Sequence, residues 1–311
     1  MRAATPIDKP TTQPVDSESR LPLVREEDPV VLQVDPILEP RIFALLNQLA
    51  SEHQDPSRLL VAGLAPTRTT LFVGPPGVGK TLAARWLAQT LNRPLLILDL
   101  ASVMSSLLGR TGENVRRVLA YAKQRPCVLL LDELDAVAKR RDDVTEIGEL
   151  KRLVTVLLQE IDSWPEGSLL IAATNHADLL DPAVWRRFEV VVEFPLPDRA
   201  GLVRAIEEFL DDEEVSSATI ATLASASRGA SYSDIEREVM QARRAAAIQG
   251  TSAEEALLSM VRTRLKRLSS SERVRLAADL QKDTGLSQRK VGELTGVSRD
   301  TLRKHAATRG R

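Results

Sequence analysis

Short apolar runs alternate with amphipathic segments through the middle of this chain. The runs read as strands, because apolar residues at successive positions indicate strands that are buried on both faces. The segments between them place apolar residues three and four positions apart, which is the spacing of an amphipathic helix. This alternation predicts a parallel sheet that is sandwiched by helices. The five predicted strands are residues 69–73, 94–99, 127–131, 169–173 and 189–194.

The pattern changes on both sides of this α/β region. Residues 1–35 are polar and contain five prolines, which is typical of a disordered tail, with a segment that docks on a partner as the alternative. Helical spacing begins at residue 36, so we assign 36–197 to the α/β domain. Residues 198–262 predict an all-helical lid domain, and 268–311 predict a small basic helical domain.

Composition and charge narrow the class of protein. A chain of 311 residues with 43% hydrophobic and 27% charged residues is an ordinary globular protein of about two domains. The net charge of -1 hides an asymmetry, since residues 262–311 contain 14 Lys and Arg against 5 Asp and Glu. No apolar run approaches the ~20 residues of a membrane span, and no signal peptide is recognisable, so we expect a cytoplasmic protein without a membrane partner.

The strongest chemical signal is a glycine-rich loop between the first predicted strand and the helix that follows it. Glycines let successive backbone N–H groups point at one anion, and the helix N-terminus adds its positive dipole end. Lys80 is expected to reach the β- and γ-phosphates of a nucleotide, and Thr81 is expected to place its hydroxyl on Mg²⁺. The predicted nucleotide-binding residues are Gly74, Pro75, Pro76, Gly77, Val78, Gly79, Lys80, Thr81 and Leu82.

Polar residues also end two later strands. Asp132 and Glu133 follow an apolar run about fifty residues after the loop, and strand ends of this kind are where ligands bind in open α/β sheets. We expect Asp132 to hold Mg²⁺ and Glu133 to orient and polarise the attacking water. Asn175 ends another strand, where its amide is suited to contact the γ-phosphate or the water, although a turn-capping role is the alternative.

Two adjacent arginines, Arg186 and Arg187, precede the last strand. Arginine stabilises the charge that builds on a transferred phosphoryl group, and it is sometimes supplied by a neighbouring subunit. The alternative is a solvated arginine pair at a helix end.

The order of these features resembles the classical AAA branch of the AAA+ superfamily over residues 36–262. The resemblance implies that 74–81 are its Walker A motif, that Asp132 and Glu133 are its Walker B acids and that Asn175 is its sensor 1. It implies further that Gly229 and Ala230 lie against the nucleotide. It also implies an ATPase that uses ATP and Mg²⁺ and forms a homo-oligomer, most simply a hexamer.

The chain departs from the family pattern in two places. The family usually separates its two arginines by a spacer that is missing here, so which of Arg186 and Arg187 acts on a neighbour is open. The pore loop aligns with Leu107, Leu108 and Gly109, where the family usually has an aromatic residue in place of Leu107. An aliphatic grip on a peptide is the prediction, and two core leucines of a loop are the alternative.

The basic C-terminal segment resembles a helix-turn-helix. One helix carries Val291 and Leu294, a turn follows at 295–297, and Ser298 caps a second helix. A small helical bundle that docks on a protein is the alternative. The residues that we expect to contact DNA are Arg299, Thr301, Arg303 and Lys304.

Two main functions follow from these features. The first is a motor that remodels or translocates a protein client, for a separate protease or effector, since the protease signature His-Glu-x-x-His is absent. The second is a DNA-bound regulator or mobile-element ATPase, in which ATP controls assembly. A nucleotide switch that barely hydrolyses ATP is a third alternative.

Overall fold

A computed structural model describes residues 13–16, 20–106, 111–136, 146–284 and 287–303. The chain divides into two compact units, Met1–Pro195 and Leu196–Arg311. The first unit contains the sheet and the second is helical, and each is described by itself.

In the part of the chain that the structure describes, six strands form the sheet of the first unit, in the order β1-β3-β4-β5-β2-β6. The five strands from β2 to β6 pair in parallel, so the predicted parallel five-stranded sheet is confirmed. The sixth strand, β1, pairs antiparallel with β3. The strands are β1 Arg25–Glu27, β2 Thr69–Val73, β3 Leu95–Asp99, β4 Val128–Asp132, β5 Leu169–Thr174 and β6 Val190–Glu193.

Helices cover both faces of this sheet, as the unbroken apolar runs require. Alternate residues of β4 belong to two separate cores: Leu129 and Leu131 to one face, and Val128 and Leu130 to the other. All four side chains are fully buried. The helices in the described residues of this unit are Pro40–Gln54, Ser57–Val61, Lys80–Thr90, Leu100–Ser106, Thr111–Ala122, Glu146–Asp162 and Pro182–Trp185.

Part of the predicted N-terminal tail belongs to the sheet. Three residues that the sequence assigned to a disordered or docking segment form β1, and charged side chains hold this strand. Glu26 pairs with Arg125 and accepts a hydrogen bond from the hydroxyl of Tyr121 at 2.8 Å. Glu27 pairs with Arg85 at 3.0 Å. The apolar pattern could not indicate this strand, because all three of its residues are charged and the strand that it pairs with, β3, lies about seventy residues further along the chain.

The second unit contains only helices among its described elements. Its helices are Arg199–Leu210, Ser217–Ala226, Tyr232–Gln249, Ala253–Arg267, Ser270–Thr284 and Gln288–Thr295, and residues 299–303 are also helical. Most of these helices begin at a Ser or Asp whose side chain accepts a backbone N–H, which satisfies donors that have no partner within the helix.

The predicted boundary between lid and tail differs from the structure. Residue 262 lies inside the helix Ala253–Arg267, and the helix Ser270–Thr284 packs against Ser217–Ala226. The described part of the tail therefore shares one compact unit with the lid. Within the described parts of the chain, no helix is long and apolar enough to cross a membrane.

Candidate active site

The loop between β2 and the helix Lys80–Thr90 has glycines at positions where a larger residue would clash or be strained. A Cβ on Gly74 would lie 2.1 Å from the carbonyl oxygen of Phe194, just after β6. Gly79 adopts a φ of 95° at the start of the helix, a conformation that glycine reaches without steric cost. The first amide groups of this helix have no partner within the helix. The loop therefore leads glycines into a helix N-terminus that has free N–H donors, which is the arrangement that binds phosphate.

Lys80 folds back over this loop and is only 8% exposed. Its ammonium donates hydrogen bonds to the carbonyl oxygens of Gly74 at 2.6 Å and Pro75 at 2.9 Å. A third bond of 2.8 Å reaches Oδ1 of Asn175 at the end of β5. The structure thus brings together the predicted lysine and amide, which are 95 residues apart in sequence.

Burial lowers the pKa of Lys80 to about 8, although the carboxylates of Asp132 and Asp135 oppose this shift. Desolvation penalises the charged form of a buried amine, and a nearby negative charge favours it. A polyphosphate bound at this position would add negative charge and hold the lysine in its ammonium form.

Thr81 and Asp132 also meet at this edge of the sheet. The hydroxyl of Thr81 donates to Oδ2 of Asp132 at 3.2 Å, across the gap between the helix Lys80–Thr90 and the end of β4. A hydroxyl and a carboxylate are hard oxygen ligands of the type that Mg²⁺ takes. The residues present therefore fit a magnesium site.

Glu133 occupies an unusual backbone conformation directly after β4. Its φ is 56°, a region that few residues other than glycine adopt. The turn is fixed on both sides, since the N–H of Glu133 donates to Oδ1 of Asp132 at 3.0 Å and the N–H of Leu134 donates to the carbonyl of Ala173 at 2.9 Å. Glu133 is exposed, so water can reach this residue.

Asp135 is a site residue that sequence analysis did not identify. It is 3% exposed, and its Oδ1 accepts hydrogen bonds from the hydroxyl of Thr174 at 3.2 Å and from the N–H of Asn175 at 3.3 Å. It therefore connects the turn after β4 to the end of β5 and orients the amide that contacts Lys80. Its signal in the sequence was an acid spaced three residues after Asp132.

The two predicted arginines lie at the opposite end of the sheet. The carbonyl of Arg187 accepts a hydrogen bond from the hydroxyl of Thr69, the first residue of β2, at 3.0 Å. The phosphate-binding loop follows the last residue of β2, and five residues of strand span about 15 Å. Arg186 and Arg187 are therefore not brought together with Lys80.

The environments of these adjacent arginines differ. The guanidinium of Arg187 pairs with Oδ2 of Asp162 at 2.7 Å. Arg186 is exposed, and within the described residues no acidic group forms an ion pair with it. One arginine is thus bound to its own chain, whereas the other is exposed to solvent.

Gly229 and Ala230 belong to the helical unit. Gly229 has a φ of 86°. Both residues precede the helix Tyr232–Gln249 in the chain, and both line a cavity of about 400 Å³. Charged residues complete the lining: Arg228, Asp234, Arg237, Glu238 and Arg264.

Four other predicted residues lie outside the described parts of the chain. They are the pore-loop residues Leu107, Leu108 and Gly109 and the DNA contact Lys304.

The fold and the loop define a nucleotide-binding protein of the P-loop class. Residues 70–196 match the family described as "ATPase family associated with various cellular activities (AAA)". An uncharacterised AAA family ATPase, y4kL, of Sinorhizobium fredii is 37% identical over 232 residues, which are 75% of this chain and 70% of that protein. The chain belongs to the AAA family of ATPases.

Other relatives are longer than this chain. A proteasome-activating nucleotidase of Thermococcus gammatolerans is 31% identical over 233 residues, which cover 69% of this chain and 59% of that protein. The 26S proteasome regulatory subunit 6A of Encephalitozoon cuniculi is 35% identical over 177 residues, or 55% of this chain and 44% of that protein. The matched part of the chain thus spans about half the length of these two relatives.

Proposed function

We propose that this ATPase works as a ring of identical subunits, most simply six, and uses Mg²⁺-dependent ATP hydrolysis to remodel or translocate a protein client. The observation that carries the proposal is the distribution of its polar residues. The groups suited to bind ATP meet at one end of the sheet, whereas the arginine suited to assist hydrolysis is at the other end. A single subunit would therefore be incomplete.

Each polar group at the carboxyl ends of the strands has a role in the proposed reaction. The loop amides and the ammonium of Lys80 bind the β- and γ-phosphates of the substrate ATP. Thr81 and Asp132 would hold Mg²⁺, which neutralises charge on the phosphates when it is bound. Glu133 orients and polarises a water molecule for attack on the γ-phosphorus, and the products are ADP and phosphate. Asn175, oriented by Asp135, contacts the γ-phosphate or this water. Gly229 and Ala230 would contact the nucleotide, as the family resemblance implies.

Arg186 is our choice for the residue that acts on the ATP of a neighbouring subunit. It lies near the amino end of β2, and the phosphate-binding loop of its own chain follows the other end of this strand, about 15 Å away along β2, so we place its action on a neighbouring subunit. Arg187 is less suitable, because its guanidinium is already paired with Asp162. An arginine supplied in this way typically increases the rate about 10³–10⁵-fold.

A mixing experiment tests catalysis across the interface. Arg186→Ala subunits keep a complete ATP site, and Glu133→Gln subunits keep the arginine, so each is expected to be inactive alone. Mixed rings should recover part of the ATPase activity, because an Arg186→Ala site then receives Arg186 from its neighbour. Arg187→Ala is the matched control and should keep most of its activity alone. Absence of recovery in mixtures that form rings would contradict the role of Arg186.

The names of two relatives connect them with the proteasome, which supports a protein as the client. We propose that Leu107, Leu108 and Gly109 form the loop that grips it. Leu107→Asp should abolish ATP-dependent unfolding of a tagged substrate protein while leaving basal ATPase activity. Unfolding at the unchanged rate would exclude this loop as the part that grips the client.

The DNA-bound regulator remains the second candidate function, and it is favoured by the basic helix-turn-helix pattern of the C-terminal segment.

A further inference from the structure

The last three helical segments of the chain enclose a small core of their own. These segments are Ser270–Thr284, Gln288–Thr295 and the helix that begins at residue 299. Four buried apolar side chains, Ala277, Val291, Val297 and Leu302, form the core, and Val274 packs against it. This shared core packs the three segments against one another.

The turn between the last two helices is built for close approach. Gly296 ends the first of them with a φ of 71°, which favours glycine. A Cβ on Gly292 would lie 3.0 Å from the carbonyl oxygen of Val297, so a larger residue would push the turn away. The side chain of Ser298 accepts the N–H of Thr301 at 3.2 Å and starts the next helix. These contacts define a helix-turn-helix with a fixed geometry.

The outer surface of this motif carries excess positive charge. Residues 287–303 contain four Lys and Arg and two Asp and Glu, whereas the helix Tyr232–Gln249 of the same unit carries three of each. Arg299 and Arg303 are four residues apart on one helical face, and both are exposed. Among the described residues, no acidic group forms an ion pair with either of them. Arg289 and Lys290 are exposed on the preceding helix.

We propose that this helix-turn-helix binds duplex DNA, with the helix that begins at residue 299 in the major groove. In this motif the second helix contacts base edges while the first crosses the backbone. Arg299 and Arg303 reach phosphates or guanine, Thr301 can contact base edges, and Arg289 and Lys290 lie on the helix that faces the phosphates. The proposal does not depend on ATP hydrolysis, so the two can fail separately.

The test measures binding of the full chain to a fluorescent duplex of about 30 base pairs and mixed sequence by anisotropy, at several salt concentrations. We expect affinity to fall steeply with salt, because each neutralised phosphate contributes about -0.9 to the slope of log K against log salt. Arg299→Gln/Arg303→Gln should weaken binding at least tenfold and flatten the slope by about one unit for each phosphate that is no longer neutralised.

The control variant Arg41→Gln/Arg58→Gln removes two exposed charges from the other unit and should bind like the unchanged chain. Gly292→Val should also weaken binding, since it displaces the turn while keeping every charge. Each variant's ATPase activity and thermal unfolding are measured to show that it is folded. No binding to the duplex by the unchanged chain, equal weakening in the control, or preference for RNA or single strands would overturn the proposal.

Discussion

Charged side chains at the two ends of the central sheet differ in their exposure to solvent. At the carboxyl ends of β2, β4 and β5, Lys80 and Asp135 are buried and hydrogen-bonded to other chain segments. At the amino ends of β2 and β6, the ion pair of Arg187 with Asp162 has both side chains more than 40% exposed. Polar groups are expensive to bury and cheap to leave in water. The buried charges at the carboxyl end therefore carry a cost that a site must offset, whereas the exposed pair of Arg187 with Asp162 does not.

The largest effect should come from removing the lysine at the buried end. Lys80→Ala is expected to weaken ATP binding at least ~30-fold, since loss of one partner of a buried charge pair costs about 2–5 kcal/mol and about 1.4 kcal/mol is a factor of ten. Binding of a fluorescent ATP analogue measures this effect. Lys123→Ala, which removes a lysine paired with Glu160 elsewhere in the unit, is the control. Equal affinity for both variants would remove Lys80 from the site.

Glu133→Gln should separate turnover from binding at the same end. The amide keeps the size of the side chain but cannot accept the proton of the attacking water, so we expect turnover to fall about 10²–10⁴-fold. Affinity for ATP should change little. Phosphate release and nucleotide binding are measured on the same preparation, and retained turnover would exclude Glu133 as the residue that polarises water.

A direct comparison of the two ends pairs Asp135→Ala with Asp162→Ala. The first leaves the hydroxyl of Thr174 and the N–H of Asn175 without this buried acceptor, which should lower the free energy of unfolding by about 1–3 kcal/mol. The second breaks an exposed pair and should cost about 0–1 kcal/mol. Urea denaturation measures both. Equal decreases would show that burial does not distinguish the two ends.

The smallest effect concerns His53, a buried polar group near the amino ends of β2 and β3. Its Nε2 donates to the carbonyl of Thr67 at 2.7 Å, and its Nδ1 accepts from Arg93 at 3.1 Å, so the ring is neutral. Burial lowers its pKa, aided by Arg93 and opposed by the bond to Thr67 and by Glu52 and Glu189.

This lowered pKa gives stability a defined dependence on pH. Below about pH 6.5 the unfolded chain binds a proton at this residue that the folded chain does not, so the free energy of unfolding falls as pH falls. Between about pH 7 and pH 5 the change should be at most ~1.4 kcal/mol per pH unit steeper than in His53→Gln. Identical slopes in urea denaturation would show that His53 titrates normally.

The sequence predicted the features that depend on local pattern. Strands β2 to β6 were recognisable because their apolar runs need no knowledge of a partner, and the loop before Lys80 has a fixed spacing. Asp135 was missed because its role depends on β5, forty residues away in the chain. Our proposal of Arg186 rather than Arg187 as the residue that acts on a neighbour required the position of Asp162, which no motif contains.

The strand β1 has a consequence for how this protein is prepared. Because residues 1–35 have the composition of a disordered tail, a shortened version of the protein would naturally start near residue 36. Such a version would uncover the backbone donors and acceptors of β3, and an open strand of this kind readily pairs with another molecule. It would also remove the carboxylates that pair with Arg85 and Arg125. We therefore expect a protein shortened at this point to self-associate, and its aggregation would be a result of the missing strand rather than a property of the unshortened ATPase.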